Sequence, residues 1–416
     1  MDRRGDSRTL VAAAAASILA FMTSGAYAQD AQVRARAEQT IKRIESTMQQ
    51  RPDDGLLHFY MAMFQAQAGH RDASLEWLQK VAARRMGFVP TRGGGFDDIW
   101  ADEGFQALRR EMQSNEPTVA DAKEVFRLPR AAFVPEGIAY DPAARRHFIG
   151  SITERRILQR ARSGRFSDFS SPGDGLKSVL GLRVDEKRKL LYAISGNSFS
   201  TRAGEALENA LFVYELATQK LRARYYAPEA VNLNDVAVGP NGEVLVTDSG
   251  AGAVYRLDEA AGDLVYQVPP GALTGSNGIA ISPDGKRAYV AISTGVAGID
   301  LASGEIARLT QSDDLATGAI DGLYFLEGDL IGVQNFICPG RILRLHLDEA
   351  GKAIESMTVL QANHPSLDEP TTGAIVGKHL HVIGNSSVVR VQPDGSLRDE
   401  ATLVPAAILA VPLSRP

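Results

Sequence analysis

Four oxygen-bearing side chains occupy equivalent places in a pattern that recurs along the chain. The pattern is one residue, then Gly or Asp, then a short apolar run, and it occurs six times at intervals of 43 to 54 residues. Carboxylate and amide oxygens are the ligands that hard divalent cations prefer in proteins. The residues that begin the six copies are Glu136, Leu180, Asn234, Asn277, Asp321 and Thr372.

The elements that would position these residues can be seen in residues 233–268, LNDVAVGPNGEVLVTDSGAGAVYRLDEAAGDLVYQV. Four short apolar runs alternate there with turn signals, which is typical of an antiparallel four-stranded meander. A four-stranded propeller blade takes about 40–50 residues. Six copies between residues 131 and 405 therefore predict an all-β fold, a six-bladed β-propeller.

Each of the six residues would lie just before the innermost strand of its blade. In a propeller, such positions converge on one end of the central channel. Two carboxylates and two amides facing each other there would be costly unless a positive charge lay between them. Asn before Gly or Asp is also a turn signal, so any one of these residues alone would be better explained as structural. Four at equivalent places favour a site for one divalent metal, with Ca²⁺ suited best and Mg²⁺, Mn²⁺ or Zn²⁺ less well.

A second set of small polar residues is predicted at the same end of the channel, where the second strand of each blade finishes. Such residues would hydrogen-bond the metal ligands or line the pocket. The competing interpretation is that Ser and Asn simply end strands. The six residues are Ser151, Ser195, Ser249, Ser293, Asn335 and Asn385.

Four motifs in order give the chain a family resemblance. FVPEGIAYDP, LNDVAVGPNGEVLVTDS, SNGIAISPDGKRAYV and AIDGLYF resemble the SMP-30/gluconolactonase family of regucalcin-like lactonases, and the likeness covers about residues 131–404. It implies a six-bladed propeller whose axial divalent metal is held by a Glu, two Asn and an Asp. The matching positions are Glu136, Asn234, Asn277 and Asp321.

The resemblance also implies an activity, hydrolysis of a lactone or small ester. The cation would polarise the carbonyl, and Asp321 would orient or deprotonate the attacking water, with direct attack by Asp321 as the other route. Asn234 would act with Asp321 at the catalytic centre. The family's sugar lactonases have an Arg where this chain has Asn232, so an aldonolactone substrate is not favoured. The predicted substrate pocket consists of Asn232, Ser249, Asn335 and His364, the last as a proton shuttle on a loop.

Two other functions remain open from the sequence. The first is a non-catalytic propeller with a structural metal, acting as a binding module through its helical segment and rim loops. The second is a metal-free propeller of the strictosidine-synthase type, against which the four intact ligand positions argue. Motifs of other hydrolases, such as G-x-S-x-G and H-E-x-x-H, are missing from the sequence.

Residues 1–28 have the pattern of a secretory signal. A basic start, the apolar run Leu10–Met22 and the small-residue site ending in Ala28 predict cleavage after Ala28 and a periplasmic or secreted protein. The run is too short to span a bilayer, and no Cys follows the cleavage site to carry a lipid anchor. Cys338 is the only cysteine, so no intramolecular disulfide is expected.

Between residues 29 and 115 the apolar periodicity becomes helical. Asp53 or Asp54 is a suitable N-cap and Gly69-His70 a helix stop. Residues 55–85 resemble a tetratricopeptide helix pair, and a single such repeat must pack on the propeller or on a protein partner.

Residues 116–130 form a linker that contains KEVFRL, and the propeller occupies 131–416. KEVFRL is expected to be a strand that pairs with the last blade and closes the ring. Alternatively, the last blade supplies all four of its own strands, ending in LRDEATLVPA.

The overall composition sets few further limits. The chain has 416 residues, of which 44% are hydrophobic, and a formal charge of −5. That is ordinary for a globular protein, and the chain has no Lys/Arg run of the kind that nucleic acids or membrane surfaces attract. The expected partner is a small-molecule lactone or ester.

Overall fold

A computed structural model describes residues 31–335 and 340–414, with side chains from residue 33 onward. The predicted signal segment, its cleavage site at Ala28 and the single cysteine Cys338 lie outside the described residues. Within those ranges, no helix is both long enough and apolar enough to cross a membrane.

The described strands form six sheets, and the prediction of a six-bladed propeller is confirmed. Every blade is an antiparallel meander of four strands, and in blade 5 a short fifth strand, β18, runs parallel to the outermost one. Blades 1 to 3 comprise β2 (Pro135–Asp141), β3 (Arg146–Ser151), β4 (Ile157–Arg160) and β5 (Phe166–Asp168); β6 (Ser178–Asp185), β7 (Leu190–Gly196), β8 (Asn209–Glu215) and β9 (Leu221–Tyr226); and β10 (Leu233–Val238), β11 (Val244–Asp248), β12 (Ala253–Asp258) and β13 (Asp263–Val268). Blades 4 to 6 comprise β14 (Ile279–Ile281), β15 (Arg287–Ile292), β16 (Gly295–Asp300) and β17 (Ile306–Arg308); β18 (Thr310–Gln311), β19 (Ile320–Leu326), β20 (Asp329–Gln334), β21 (Arg341–Leu347) and β22 (Ala353–Ala362); and β23 (Gly373–Val376), β24 (His379–Ile383), β25 (Ala407–Pro412) and β1 (Lys123–Arg127).

The strand that precedes the repeats closes the ring. β1 pairs antiparallel with β25 and becomes the outermost strand of blade 6, with Phe126 opposite Ile408. Residues 397–406, which the alternative arrangement would make a strand, instead contain a short 3-10 turn at Glu400–Thr402. Joining the two ends of the propeller in one sheet leaves no unpaired edge between the first and last blades.

The apolar core lies between neighbouring blades. Leu211 and Val213 of β8 pack with Val244 and Val246 of β11 in one cluster, and similar clusters fill the spaces between the other blades. The inner strands β2, β6, β10, β14, β19 and β23 contact one another around the channel. Because their side chains have little room there, the inner strands are buried on both faces.

Four α-helices lie before the propeller within the described residues: α1 (Ala31–Met48), α2 (Gly55–Ala68), α3 (Arg71–Arg84) and α4 (Glu103–Ser114). Asp54 caps α2 by accepting hydrogen bonds from the backbone of Leu56 and Leu57, and Gly69 ends it at φ 88°. Both ends were predicted from the sequence. The tetratricopeptide likeness of residues 55–85 stays a prediction.

The helices pack on the propeller. Their hydrophobic cluster includes Ala316, which belongs to the loop that enters blade 5. The amide of Gly55 donates to the carbonyl of Asp313 at 2.9 Å, and the hydroxyl of Tyr60 donates to the carbonyl of Ser293 at 2.8 Å. Ser293 and Ala316 lie at the end of the channel where the inner strands begin, so the helical region covers this end over blades 4 and 5.

Candidate metal and active site

Close packing of the inner strands brings the six pattern residues together. Glycine follows the pattern residue in five of the six copies. A Cβ added at Gly137 would overlap the carbonyl of Leu180, and one at Gly278 would overlap that of Asp321. Because only glycine allows this approach, the side chains of the residues before it gather at one mouth of the channel.

Glu136 occupies the start of β2 with 5% of its surface exposed. Its carbonyl accepts hydrogen bonds from the hydroxyls of Thr371 and Thr372, at 3.0 and 2.6 Å. Those bonds fix the backbone beside the channel. The Oε2 atom of its carboxylate is buried and has no hydrogen-bond partner among the described residues.

Asn234 and Ser249 form a hydrogen-bonded pair in blade 3. The side-chain nitrogen of Asn234 donates to the Ser249 hydroxyl at 2.8 Å, and that hydroxyl donates to the carbonyl of Ser276 at 2.5 Å. Because Ser249 takes the amide nitrogen, the amide oxygen of Asn234 is the atom that a metal would contact.

Asp321 is held by two amides. Asn335 donates from its side-chain nitrogen to Oδ2 of Asp321 at 2.7 Å and to the carbonyl of Pro370 at 2.8 Å. The Asn277 side chain also hydrogen-bonds Asp321. The Oδ1 atoms of Asn277 and Asn335 are both buried without a partner. Three buried oxygens without partners, counting that of Glu136, therefore belong to this one group of residues.

The carboxylates of Glu136 and Asp321 form no salt bridge with any described residue. Burial, and then the charges of Asp321 and Asp235, raise the pKa of Glu136 well above its ordinary value. Burial raises the pKa of Asp321 to about 7, although the hydrogen bonds from Asn335 and Asn277 act in the opposite direction. Neighbouring buried carboxylates resist ionisation together because each charge disfavours the other.

Asp235 is a third carboxylate that the sequence analysis did not single out. It stands where the other five copies have glycine. Its pKa is raised, chiefly by burial, and its Oδ2 accepts from the backbone of Ile279 at 3.1 Å. Arg183 lies 3.7 Å from the same oxygen. The unusual residue type at a glycine position was the signal that could have revealed it.

The residues present fit a hard divalent cation. The donor set offers two carboxylates and two amide oxygens, and a cation would compensate their charge. Two of its oxygens, on Glu136 and Asn277, are buried without partners among the described residues. Within the described ranges, no group of three or more His, Cys, Asp or Glu side chains is arranged to hold a metal. The predicted set is not such a group, because half of it consists of asparagines.

A comparison with protein-family models gives a match to the part of the chain that contains these residues. The model of the SMP-30/Gluconolactonase/LRE-like region matches residues 134–323. The resemblance to the SMP-30/gluconolactonase family is confirmed. All four predicted ligands, from Glu136 to Asp321, lie inside the matched residues. No curated protein sequence matches the chain.

Several solved structures match parts of the chain at low sequence identity. Gluconolactonase from Xanthomonas campestris is 17% identical, covers 71% of this chain and 97% of its own, and has a TM-score of 0.46. Regucalcin, a calcium-binding protein from Agrobacterium tumefaciens, is 17% identical, covers 71% and 96%, and scores 0.48. Virginiamycin B lyase from Staphylococcus aureus is 16% identical, covers 67% and 87%, and scores 0.46. Nothing about the activity of this SMP-30/gluconolactonase-like chain follows from these scores.

The predicted second set of polar residues is only partly brought to the ligands. Ser249 and Asn335 contact Asn234 and Asp321, as described above. Three of the others satisfy nearby backbone groups: Ser151 accepts from the amide of Glu154 at 3.0 Å, Ser195 from that of Lys177 at 2.8 Å and Asn385 from that of Ala407 at 2.7 Å. For these, strand-ending was the right interpretation.

Two predicted pocket residues have hydrogen-bond partners other than the four predicted ligands. The side-chain oxygen of Asn232 accepts from the hydroxyl of Ser198, on the loop between β7 and β8. His364 is half-buried, and its Nδ1 accepts from the amide of Ser366 at 3.0 Å. No hydrogen bond in the described part of the chain joins His364 to the four ligands, so its role as a proton shuttle stays a prediction.

Loops from several blades surround the candidate site. Residues 385–406 of blade 6 pack Val391 against Val134 and Ile152 of blade 1. Arg202, in the loop between β7 and β8, donates to the carbonyl of Thr153 at 3.2 Å. These loops and the helical region surround the channel mouth of this SMP-30/gluconolactonase-like propeller. A separate cavity of about 230 Å³ lies further along the channel and is lined by Tyr140, Arg183 and Tyr324 among others.

Proposed function

We propose that this protein is a divalent-metal-dependent hydrolase that opens a lactone or cleaves a small ester. The observation that supports the proposal is the set of buried oxygens without partners at the channel mouth, beside two carboxylates. Glu136, Asn234, Asn277 and Asp321 would hold one cation. Carboxylate and amide oxygens suit Ca²⁺ better than Zn²⁺, so Ca²⁺ is the proposed metal.

Asp321 is the proposed catalytic residue. Once bound, the cation would polarise the ester carbonyl and stabilise the negative charge that develops on its oxygen. Asn335 holds Oδ2 of Asp321 at 2.7 Å, which keeps the carboxylate in one orientation. Asp321 would orient the attacking water and accept its proton. The ester bond then breaks, and the proton passes to the leaving alkoxide.

Direct attack by Asp321 is the second route, and an isotope experiment separates the two. A single turnover in water labelled with ¹⁸O would place the label in the product acid if water attacks. If Asp321 attacks, its oxygen displaces the alkoxide and forms an acyl anhydride. Hydrolysis of that anhydride at the carboxyl carbon of Asp321 leaves an unlabelled enzyme oxygen in the first product and places the label in the Asp321 carboxylate. Mass spectrometry of the product and of the peptide containing Asp321 reads out both outcomes.

The proposed substrate is a lactone or small ester other than an aldonolactone. The family's sugar-lactonase members have an arginine at the position of Asn232, and here that amide is engaged by Ser198. The proposed location is the periplasm or the medium, with cleavage after Ala28. Amino-terminal sequencing of the secreted protein would test the location and the cleavage site together.

A substrate panel tests the activity. Metal-stripped mature protein would receive Ca²⁺, Zn²⁺ or Mn²⁺ and be offered gluconolactone, a five-membered lactone, an aryl ester and an aryl phosphotriester. We expect Ca²⁺ to restore hydrolysis of one carboxylic ester class, and Asp321→Asn to abolish it while the protein stays folded. Metal binding that raises the melting temperature without any turnover would contradict the proposal and favour the non-catalytic binding module.

A further inference from the structure

The loop that enters blade 5, residues 316–320, is contacted from two sides just before Asp321. On the propeller side, Nε2 of Gln334 donates to the carbonyls of Ala316 and Gly318, at 2.9 and 2.7 Å. The backbone amide of the next residue, Asn335, donates to the carbonyl of Ala319 at 3.3 Å. Gln334 is fully buried, so these bonds are shielded from water.

The helical region packs against the same loop from the other side. Ala316 lies in the helical hydrophobic cluster. Gly318 is packed so closely that an added Cβ would collide with the side chain of Leu56 in α2 and with the carbonyl of Ser293. Ala319 is held at φ 55°, in the left-handed region that costs a residue with a Cβ about 1–2 kcal/mol. Such a conformation persists only where the surroundings enforce it.

Arg341 connects the two sides. Its guanidinium donates to Oε1 of Gln334 from two nitrogens, at 2.9 and 2.6 Å. A third nitrogen donates to the carbonyl of Gly87, which follows α3, at 2.8 Å. With 1% of its surface exposed, Arg341 is among the largest fully buried side chains. A hydrogen-bonded chain therefore runs from the helical region through Arg341 and Gln334 to the residues just before Asp321.

We propose that Arg341 and Gln334 are positioning residues through which the helical region sets the orientation of Asp321. The inference rests on the proposed function for its kinetic part, because Asp321 is the proposed catalytic group. Loss of the hydrogen bonds made by Arg341 and Gln334 would let the loop at residues 316–320 relax. Asp321 would then move relative to Glu136 and Asn277. A displacement of about 1 Å at a reacting group costs as much as 100-fold in rate.

Arg341→Met tests the proposal against a matched control on the same strand. Arg344 is also a mostly buried arginine of β21, but it bonds Asp329 at 2.6 Å and the carbonyl of Leu413 at 3.0 Å. Arg344→Met should lower the melting temperature without touching Gln334. We expect Arg341→Met to lower kcat about tenfold and to weaken Ca²⁺ binding about tenfold, with KM unchanged. Arg344→Met should leave kcat, KM and the Ca²⁺ dissociation constant unchanged.

Two further variants keep the test decisive. Arg341→Lys retains the charge and serves if Arg341→Met does not fold. Gln334→Glu preserves the acceptor for Arg341 but loses the nitrogen that donates to Ala316 and Gly318, so it should lower kcat and Ca²⁺ affinity as Arg341→Met does. If the contact of Arg341 with the helical region acted only through overall stability, Gln334→Glu would leave kcat and Ca²⁺ affinity unchanged.

All variants would be compared by calorimetry and steady-state kinetics well below their melting temperatures. Wild-type kcat and Ca²⁺ affinity in the Arg341 variants, or equal losses in Arg344→Met, would overturn the inference. If the wild-type protein binds Ca²⁺ but hydrolyses nothing, the proposed function fails, and the Ca²⁺ affinities alone decide the inference. If it neither binds Ca²⁺ nor hydrolyses, both proposals are wrong.

Discussion

The side-chain nitrogen of Asn335 lies 2.7 Å from Oδ2 of Asp321 and 2.8 Å from the carbonyl oxygen of Pro370. A single amide thus ties the end of β20 to the start of β19 and to the loop that enters blade 6. Both of its hydrogens are used, and its own oxygen is buried without a partner. Asp321 therefore has a fixed orientation before any ligand arrives.

Asn335→Asp should weaken Ca²⁺ binding although the two side chains have almost the same shape. The substitution replaces a donor by a negatively charged acceptor beside Asp321, so the two carboxylates repel each other. Loss of an outer partner of a metal ligand typically costs about 10–100-fold in affinity or activity, and we expect Ca²⁺ affinity to fall within that range. Isothermal titration measures it.

Asn385→Asp is the matched control for that change. Asn385 ends the second strand of blade 6 and uses its oxygen to accept from the amide of Ala407. An aspartate preserves this acceptor, so Ca²⁺ affinity should not change. Equal losses in the two variants would show that any added charge at this end of the propeller is enough.

Glu136→Gln should stabilise the metal-free protein while removing its response to Ca²⁺. Burial and neighbouring charges raise the pKa of Glu136, which means that its ionised form destabilises the folded state near neutral pH. The neutral amide removes this cost, so the melting temperature of the metal-free protein should rise. Thermal unfolding at pH 7.5, with chelator and with Ca²⁺, measures both effects.

Glu305→Gln provides the control, because Glu305 is an exposed glutamate of blade 4. It should change neither the metal-free melting temperature nor the increase with Ca²⁺. A Glu136→Gln protein that still gains stability from Ca²⁺ would exclude Glu136 as a ligand.

A buried histidine pair should make the fold sensitive to mild acid. Nε2 of His147 lies 2.9 Å from Nδ1 of His381, between blades 1 and 6. Burial, together with the charges of a neighbouring histidine and of Arg160, lowers the pKa of His147 to about 3 and that of His381 to about 4. Both rings are therefore neutral in the folded protein.

The sign of the pH effect follows from these lowered values. Below pH 6.5 the unfolded chain binds protons that the folded protein does not, so stability falls as the pH drops from about 6.5 towards 4. Each histidine contributes about 2 kcal/mol of this loss by pH 5. Chemical denaturation at pH 7 and pH 5 should show a smaller difference in His147→Gln than in the wild type. An identical difference would contradict the prediction.

Asp54 should contribute more to the free energy of unfolding than an ordinary helix cap does. Its Oδ1 caps α2, while its Oδ2 accepts from Arg51 at 2.8 Å and lies 3.5 Å from Arg308 of β17. Removing it leaves two arginines without their partner at the contact between helices and propeller. We expect Asp54→Ala to cost about 3 kcal/mol, against about 1 kcal/mol for loss of a cap alone.

Asp102→Ala is the matched control, because Asp102 caps α4 and bonds Arg71, and both contacts stay within the helical region. Urea unfolding of both variants gives the comparison. Equal losses would mean that the contact of Asp54 with Arg308 contributes nothing.

Features that depend on neighbouring residues were predictable from the sequence. The blades were predicted because strands and turns alternate with a regular period, and this period placed Glu136, Asn234, Asn277 and Asp321 at equivalent positions. The cap at Asp54 and the stop at Gly69 depend on hydrogen bonds to residues a few positions away. The substitution of Asp235 for a ring glycine was visible in the sequence, but its partner Arg183 was not.

The sequence by itself determined the six blades and the equivalent positions of four oxygen-bearing side chains, since strand periodicity, turn residues and the pattern before each inner strand are local. Only the tertiary structure decided that β1 closes the ring, that Asn335 rather than His364 contacts Asp321, and that the helices reach the loop before Asp321. Arg341 and Gly87 are 254 residues apart in sequence. Contacts of this kind form only when the whole ring has closed, because the free energy of a buried hydrogen bond depends on every element that excludes water from it.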